Sequence, residues 1–303
     1  MVKSGLFMIK ALKSIRRRLF YKKVRLSRSR AGTFWIFLFL LLLCAFMALP
    51  MVYAILQSIK PLDEIFIYPP RFFVRNPTLD NFRQVGQLLS NLWIPFSRYI
   101  FNSFFVTVVG TVLYMASAAM AGYALGKGKF RGRKTLSVMV EWAMLFRAEV
   151  MAVSVYMIIC ALGIVDTYLA LILPPLSGSM GVFLIRQFVL VSIPDSTLEA
   201  ARIDGANEYV IFTKIALPSI KPALLTVMIF TFQSMWTNSG TGQYIFSENL
   251  KDLPSALSTI AASGIARAGA ASAVSIILMI PPIIVFLISQ SSVMETMTHS
   301  GMK

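Results

Sequence analysis

Histidine is nearly missing from this 303-residue chain: the one present, His299, lies four residues from the end. Chemistry built on a buried imidazole therefore has no residue to use inside the protein. Cysteine is scarce as well. Cys44 and Cys160 both sit in apolar stretches, where they pack as small hydrophobes and define neither a disulfide framework nor a metal site. Charged residues are 14% of the chain, against about 25% in soluble domains. Acids are the scarcer sign, with 13 Asp and Glu against 29 Lys and Arg. Apolar residues are abundant instead, at 57% with a mean hydropathy of +0.72. That composition excludes a soluble globular domain, and it is far too hydrophobic for a disordered chain. A net charge of +16 on so apolar a chain calls for a reason, and the placement of the charge supplies it.

Residues 34–56 contain no charge. As a helix rising about 1.5 Å per residue they run roughly 34 Å, enough to cross a hydrocarbon core of about 30 Å. Further apolar stretches at 101–126, 138–163, 167–185, 222–245 and 268–294 bring the expected crossings to six. The third of these carries Glu141, Arg147 and Glu149. A cleaved signal peptide is the rival reading of the first stretch. Its basic region is too long, its apolar run exceeds a signal core, and no small-x-small site follows it.

Residues 1–33 hold eleven Lys and Arg and no acid, which puts the N-terminus in the cytoplasm by the positive-inside rule. Six crossings return the C-terminus to the same side. The loop 127–134, with Lys127, Lys129, Arg131, Arg133 and Lys134, is then cytoplasmic too. With this orientation the cytoplasmic segments account for the whole +16, and the rest of the chain is neutral. The basic arm thus reads as a topology signal drawn to anionic membrane lipid, not as a nucleic-acid site.

On the outer side, residues 57–100 are rich in Pro and aromatics and read as an ordered, non-helical re-entry followed by short interfacial helices. Residues 261–275 are dense in Ala, Ser and Gly, which lets helix backbones approach closely and predicts an intersubunit or bundle contact. Pro174-Pro175 and Pro281-Pro282 free backbone carbonyls at membrane depth, as a translocation path requires. Glu149, Trp236 and Asn238 are the candidate path residues, the last two because they can stack on and hydrogen-bond a sugar.

The segment 186–221 differs from the other cytoplasmic pieces, because its acids balance its bases. Ser196 stands three residues before Glu199, the spacing of a capping box that starts a helix. Ala200, Ala201, Arg202 and Ile203 continue it, and Gly205 can stop it in a left-handed conformation. A second amphipathic run follows, with Tyr209, Phe212 and Ile215 on one side, ending before Pro218. Two short helices hinged at a glycine are expected, either as a plain elbow between two crossings or as a docking element for a soluble partner.

The run Glu199-Ala200-Ala201-Arg202-Ile203-Asp204-Gly205-Ala206, followed by Ile215-Ala216-Leu217-Pro218, resembles the EAA loop of inner-membrane permease subunits of bacterial ABC importers. It is similar in particular to the carbohydrate-uptake, maltose-permease G-like branch. Ser58-Ile59-Lys60-Pro61, Asp166-Thr167-Tyr168 and Phe183-Leu184-Ile185-Arg186-Gln187-Phe188 extend the resemblance along residues 34–290. It implies an all-α membrane protein of six transmembrane helices with a cytoplasmic coupling-helix loop at about 194–218. The permease domain would cover 34–294, between a basic arm at 1–33 and a tail at 295–303.

Residues Glu199, Ala200, Ala201, Asp204 and Gly205 would dock on an ATPase. The implied partners are a second, homologous permease chain forming a heterodimer, an ATPase dimer and an extracellular solute-binding protein. The implied location is the bacterial cytoplasmic membrane, with both termini inside. No cofactor is expected on this chain, which is not expected to be an enzyme; ATP and magnesium belong to the partner ATPase. A P-loop is not present, since Gly126-Lys127 is followed by Gly128 and Ala121 stands where the first glycine belongs. The tail lacks the family's usual ending, and Trp236-Thr237-Asn238-Ser239-Gly240 replaces its usual W-N-x-F run. A permease for a non-sugar solute, an autonomous channel or secondary transporter, and an intramembrane enzyme are the alternatives, the last disfavoured by the missing histidines.

Overall fold

The computed structural model describes residues 30–90, 94–146, 148–237, 244–262 and 267–300. All regular structure among them is helical. Two units are distinguished, one ending at Tyr53 and the other running from Ala54 onward. Within the described residues the first unit is most of α1 (Arg30–Ser58), whose Phe34, Trp35, Phe37, Phe39 and Phe46 are exposed.

The second unit opens with the re-entry. Lys60, itself buried, donates to the Arg71 carbonyl at 2.7 Å, and the buried Glu64 accepts from the Arg75 and Asn76 amides. Asn81 donates to the Ser58 and Lys60 carbonyls, both at 2.8 Å. Side chains thus do for this stretch what a ladder would do for a strand. It holds the short helices α2 (Leu62–Ile65) and α3 (Asp80–Ser90).

The centre of the unit is α4 (Phe96–Lys127), 32 residues and about 48 Å long at 1.5 Å per residue. Gly122 and Gly126, four apart, face α8 (Ser179–Ser192). A methyl group added at Gly122 would lie 2.6 Å from the Ile185 side chain and one at Gly126 2.7 Å from that of Val189, so the side chains of α8 fill the space the two glycines leave on α4. Residues 138–163 do not form one crossing. They fall into α5 (Arg133–Ala143) and α6 (Ala148–Ala161), with α5 ending in a turn at residues 144–146. Glu141 of α5 instead pairs with Arg186 of α8 at 2.9 Å.

Next come α7 (Tyr168–Leu176) and α8, bent by 41° at Ser177-Gly178. The Tyr114 hydroxyl of α4 donates to the Gly178 carbonyl at 2.8 Å and accepts from the Gly181 amide at 2.9 Å. Gly181 is the third residue of α8, so a tyrosine from another helix does the work of an N-cap side chain. After α8 come α9 (Asp195–Ile203) and α10 (Glu208–Ser219), then α11 (Lys221–Thr237), set at 75° to α10. The chain ends with α12 (Leu253–Ala261) and α13 (Ala268–Ser300). Helix α13 continues through residues 295–300 with no break at the expected tail boundary.

Three apolar cores result. One joins α4, α8, α9, α10 and α11 near the Lys127 end of α4. A second joins α3, α11, α12 and α13 near the Tyr99 end, where Ala270 and Ala273 are fully buried; the small-residue stretch is thus a contact within the bundle. The third lies between Val106 of α4 and Ala170, Leu171 and Ile172 of α7. Among the described residues, α1, α4 and the 268–290 part of α13 are long and apolar enough to cross a membrane alone. The bent pairs α7–α8 and α10–α11 qualify jointly, and α6 is a shorter apolar helix.

Trp236, 1% exposed, belongs to the second core. Its indole N–H donates to the Leu278 carbonyl at 3.0 Å. Leu278 is four residues before Pro282, so the indole replaces the helical N–H that this proline lacks. Trp236→Phe keeps a ring and drops that donor. It should cost about 1–3 kcal/mol, read as a lower thermal midpoint of the detergent-solubilised chain; an unchanged midpoint would mean that Leu278 finds another donor.

Candidate functional site

Helices α9 and α10 form the expected hinged pair. Helix α9 starts two residues earlier than the capping-box reading places it. Pro194 occupies the cap, with φ −64° and ψ 142°, and offers no side-chain cap bond. Proline's fixed φ suits that position, and Ser196 falls inside the first turn. Asp195, in that turn where a negative charge meets the helix dipole favourably, is bonded to Lys127 of α4 at 2.7 Å. The Lys127 ammonium holds the Asp195 carboxyl below the usual carboxylate range, with Lys129 and Arg133 adding to the field.

The C-terminus of α9 is a Schellman turn. The Ala206 amide donates to Ala201 O at 2.9 Å and the Gly205 amide to Arg202 O at 3.1 Å. Ala201 and Ala206, the residues such a turn brings together, pack against the same core. Gly205 sits at φ +80°, the left-handed region where a side chain costs most. Asn207 then caps α10 by accepting from the Val210 amide at 2.8 Å. Arg202 and Glu208 bridge the hinge at 2.9 Å, and that bond pushes the Arg202 guanidinium pKa upward.

Within α10, residues Ile211–Ala216 wind as a π-helix. The Leu217 amide reaches back five residues to Phe212 O. The wider winding buries Ile211 and Ala216, five apart, on one face together with Ile220. This overturns the expected apolar side of Tyr209, Phe212 and Ile215: Phe212 and Ile215 are half-buried, while Tyr209 is 74% exposed. The helix also runs past Pro218 to Ser219, because the displaced register already leaves room where proline has no N–H.

Of the residues singled out in this loop, Glu199, Ala200, Asp204 and Gly205 are exposed and Ala201 is half-buried. Leu198, 2% exposed, anchors α9 in the core from the opposite side. Ile203 is 86% exposed. Together with Tyr209 it is an apolar group turned outward beside the acids, and sequence reasoning had assigned it no role. An isoleucine directly before an Asp-Gly helix end is the local signal that marks it. The candidate path residues are not brought together. Trp236 is buried with its N–H used and its ring against Phe104 and Phe232, which corrects its reading as a sugar-stacking surface. Asn238 and the Glu149 side chain lie outside the described residues. No group of three or more His, Cys, Asp or Glu able to hold a metal occurs among the described residues.

At the other end of α4 the chain fastens a second loop. Asn102, fully buried, donates to the Asn249 and Lys251 carbonyls and accepts from the Tyr168 hydroxyl at 2.7 Å. Ser103 Oγ accepts from the Leu253 amide at 2.6 Å. Asp166, at φ +59°, takes the Phe246 and Ser247 amides. Those bonds and the Ser247 hydroxyl hold its carboxyl below the usual range.

A family model described as "Binding-protein-dependent transport system inner membrane component" matches residues 26–297. The chain is 30% identical over 267 residues to the arabinooligosaccharides transport system permease protein AraQ of Halalkalibacterium halodurans, covering 86% of this chain and 92% of that protein. In fold it is similar to a chain of a bacterial ABC transporter involved in the import of the acidic polysaccharide alginate. The TM-score is 0.70 at 23% identity, over 87% of this chain and 98% of that one. A bacterial alginate ABC transporter in complex with an alginate pentasaccharide-bound periplasmic protein aligns at a TM-score of 0.59 and 15% identity, over 84% and 92% of the two chains.

Nothing lies within 4 Å of the point where a Gly205 Cβ would sit, so conformation alone limits that position. Gly205→Val should weaken the α9–α10 turn by about 1–2 kcal/mol, and Gly205→Asn should be tolerated. Limited proteolysis of residues 195–220 checks this: faster cleavage in the Val variant and near-native resistance in the Asn variant are expected.

Proposed function

Because this chain belongs to the family of binding-protein-dependent transport system inner membrane components, we propose that it is one half of the permease of an ATP-driven importer for a sugar or oligosaccharide. The observation that carries the reading is the two-helix loop. Its inner side is locked into the core by Leu198, Ile211, Ala216 and Ile220, and its outer side offers Glu199, Ala200, Ile203, Asp204 and Tyr209. Isoleucine and tyrosine side chains held out to solvent, with Glu199 and Asp204 also exposed, suit a contact with another protein.

The coupling loop, through Glu199, Ala200, Ala201, Asp204 and Gly205, docks on an ATPase subunit that binds the ATP and magnesium, a division of labour that suits a sequence without a P-loop. Closure of the ATPase dimer moves α9 and α10 and shifts the membrane cavity between outward- and inward-facing states. A second permease chain completes the cavity, and an extracellular binding protein delivers the solute. The periplasmic protein seen with one alginate transporter supports that partner, and the oligosaccharide in the relative's name supports the solute class.

The multi-pass chain lies with both termini in the cytoplasm, as the basic arm favours. Six crossings follow if α6 is counted as a short one beside α1, α4, α13, the bent pair α7–α8, and α11, whose bent partner α10 stays in the cytoplasmic loop. Glu149 and Asn238 are the candidates for the solute path.

Co-expression with a partner permease, an ATPase and a binding protein tests the reading. Uptake of a labelled oligosaccharide should require an active ATPase. Glu199→Ala and Ile203→Glu should each reduce recovery of the ATPase with the solubilised permease. Uptake that persists with the ATPase inactivated would sink the proposal.

A further inference from the structure

The way the loop is attached goes beyond docking. Helices α9 and α10 are fastened separately to the same end of α4. Lys127 bonds Asp195 of α9 at 2.7 Å; its own side chain is 8% exposed, whereas that of Asp195 is 78% exposed. One turn back on α4, the Tyr123 hydroxyl donates to Glu208 of α10 at 3.3 Å, and its ring lies 5.4 Å from that of Phe212. The other oxygen of Glu208 takes Arg202 of α9. The contacts close a circuit: Lys127 to Asp195, along α9 to Arg202, across to Glu208, and back to Tyr123.

Apolar packing already holds these helices in place. A buried ammonium adds little net stability over a well-packed methionine, because its desolvation offsets the gain from its partner. What the pair adds is direction, since it fixes which turn of α9 meets which turn of α4. We infer that Lys127 and Tyr123 are positioning residues of the coupling element, binding both loop helices to α4 so that a push on the loop is delivered to that helix. The role assigned to them needs no contact of their own with the ATPase or the solute, and the inference rests on the importer reading given above. Lys129 and Arg131 lie in the loop that follows Lys127, and Lys134 in the first turn of α5. Lys129 and Arg133 act on Asp195 through their field, while Arg133 hydrogen-bonds the Gly128 carbonyl.

The test uses the complete assembly of both permease chains, ATPase and binding protein in lipid vesicles, with ATP hydrolysed and oligosaccharide accumulated measured in the same sample. Lys127→Met should keep hydrolysis while the solute moved per ATP falls at least about fivefold. The exchange Lys127→Asp with Asp195→Lys should restore the ratio. Tyr123→Phe, which keeps the ring on Phe212 and loses the bond to Glu208, should lower the ratio in the same direction. An unchanged ratio in Lys127→Met overturns the inference. So does a parallel loss of both activities that the exchange does not rescue, because that is simple damage to the fold. If Lys127→Met does not reach the membrane, Tyr123→Phe decides: a lower ratio supports the inference and an unchanged one overturns it. Wild-type vesicles that accumulate solute without ATP overturn the importer reading itself, and this inference with it.

Discussion

Hydrocarbon offers no hydrogen bonds, so each backbone group freed by a bend or a proline in a crossing has to be met by another part of the protein. Helix α4 meets two of them at the break between α7 and α8 and supplies other polar anchors along its length. Its Tyr114 satisfies a carbonyl and an amide at the break between α7 and α8. Its Asn102 and Ser103 take up the backbone of residues 249–253. Its far end, through Tyr123 and Lys127, secures α9 and α10. The bent helices can bend because a straight one stands beside them with polar side chains at the right heights. Trp236 plays the same part for α13, where the indole covers the carbonyl that Pro282 leaves open.

Much of this was legible in the sequence. The apolar stretches became helices, the Pro- and aromatic-rich stretch became an ordered re-entry, and Gly205 took the left-handed conformation that ends α9. These features are local: a run of apolar side chains or a glycine after a helical pattern carries its meaning within a few residues. The loop residues Glu199, Ala200, Asp204 and Gly205 are also exposed.

What was hidden depends on distant partners or on winding. Tyr114 and Gly178 are 64 residues apart, and Trp236 and Leu278 are 42 apart. Nothing near Trp236 in the sequence distinguishes a tryptophan that stacks on a sugar from one that caps a carbonyl. The capping box failed because Pro194 holds the cap and Asp195 has a cation waiting on α4. Tyr209 was assigned to the wrong side because a period of 3.6 was assumed where the helix widens. Glu141 looked like an obstacle inside one crossing, yet it ties α5 to α8 through Arg186.

The π-helical stretch of α10 has a geometric meaning of its own. An α-helix advances about 100° per residue, and the wide turn at Ile211–Ala216 takes up one extra residue in nearly the same rotation. Removing one residue there and closing the winding would leave the length of the connection nearly the same. It would also leave the helix before it nearly in phase, because the wide turn spreads about the same rotation over one more residue. The face that Glu199 and Ile203 present therefore keeps its setting relative to α11 even though the turn holds an extra residue, and the burial of Ile211 and Ala216 five apart is how that residue is absorbed.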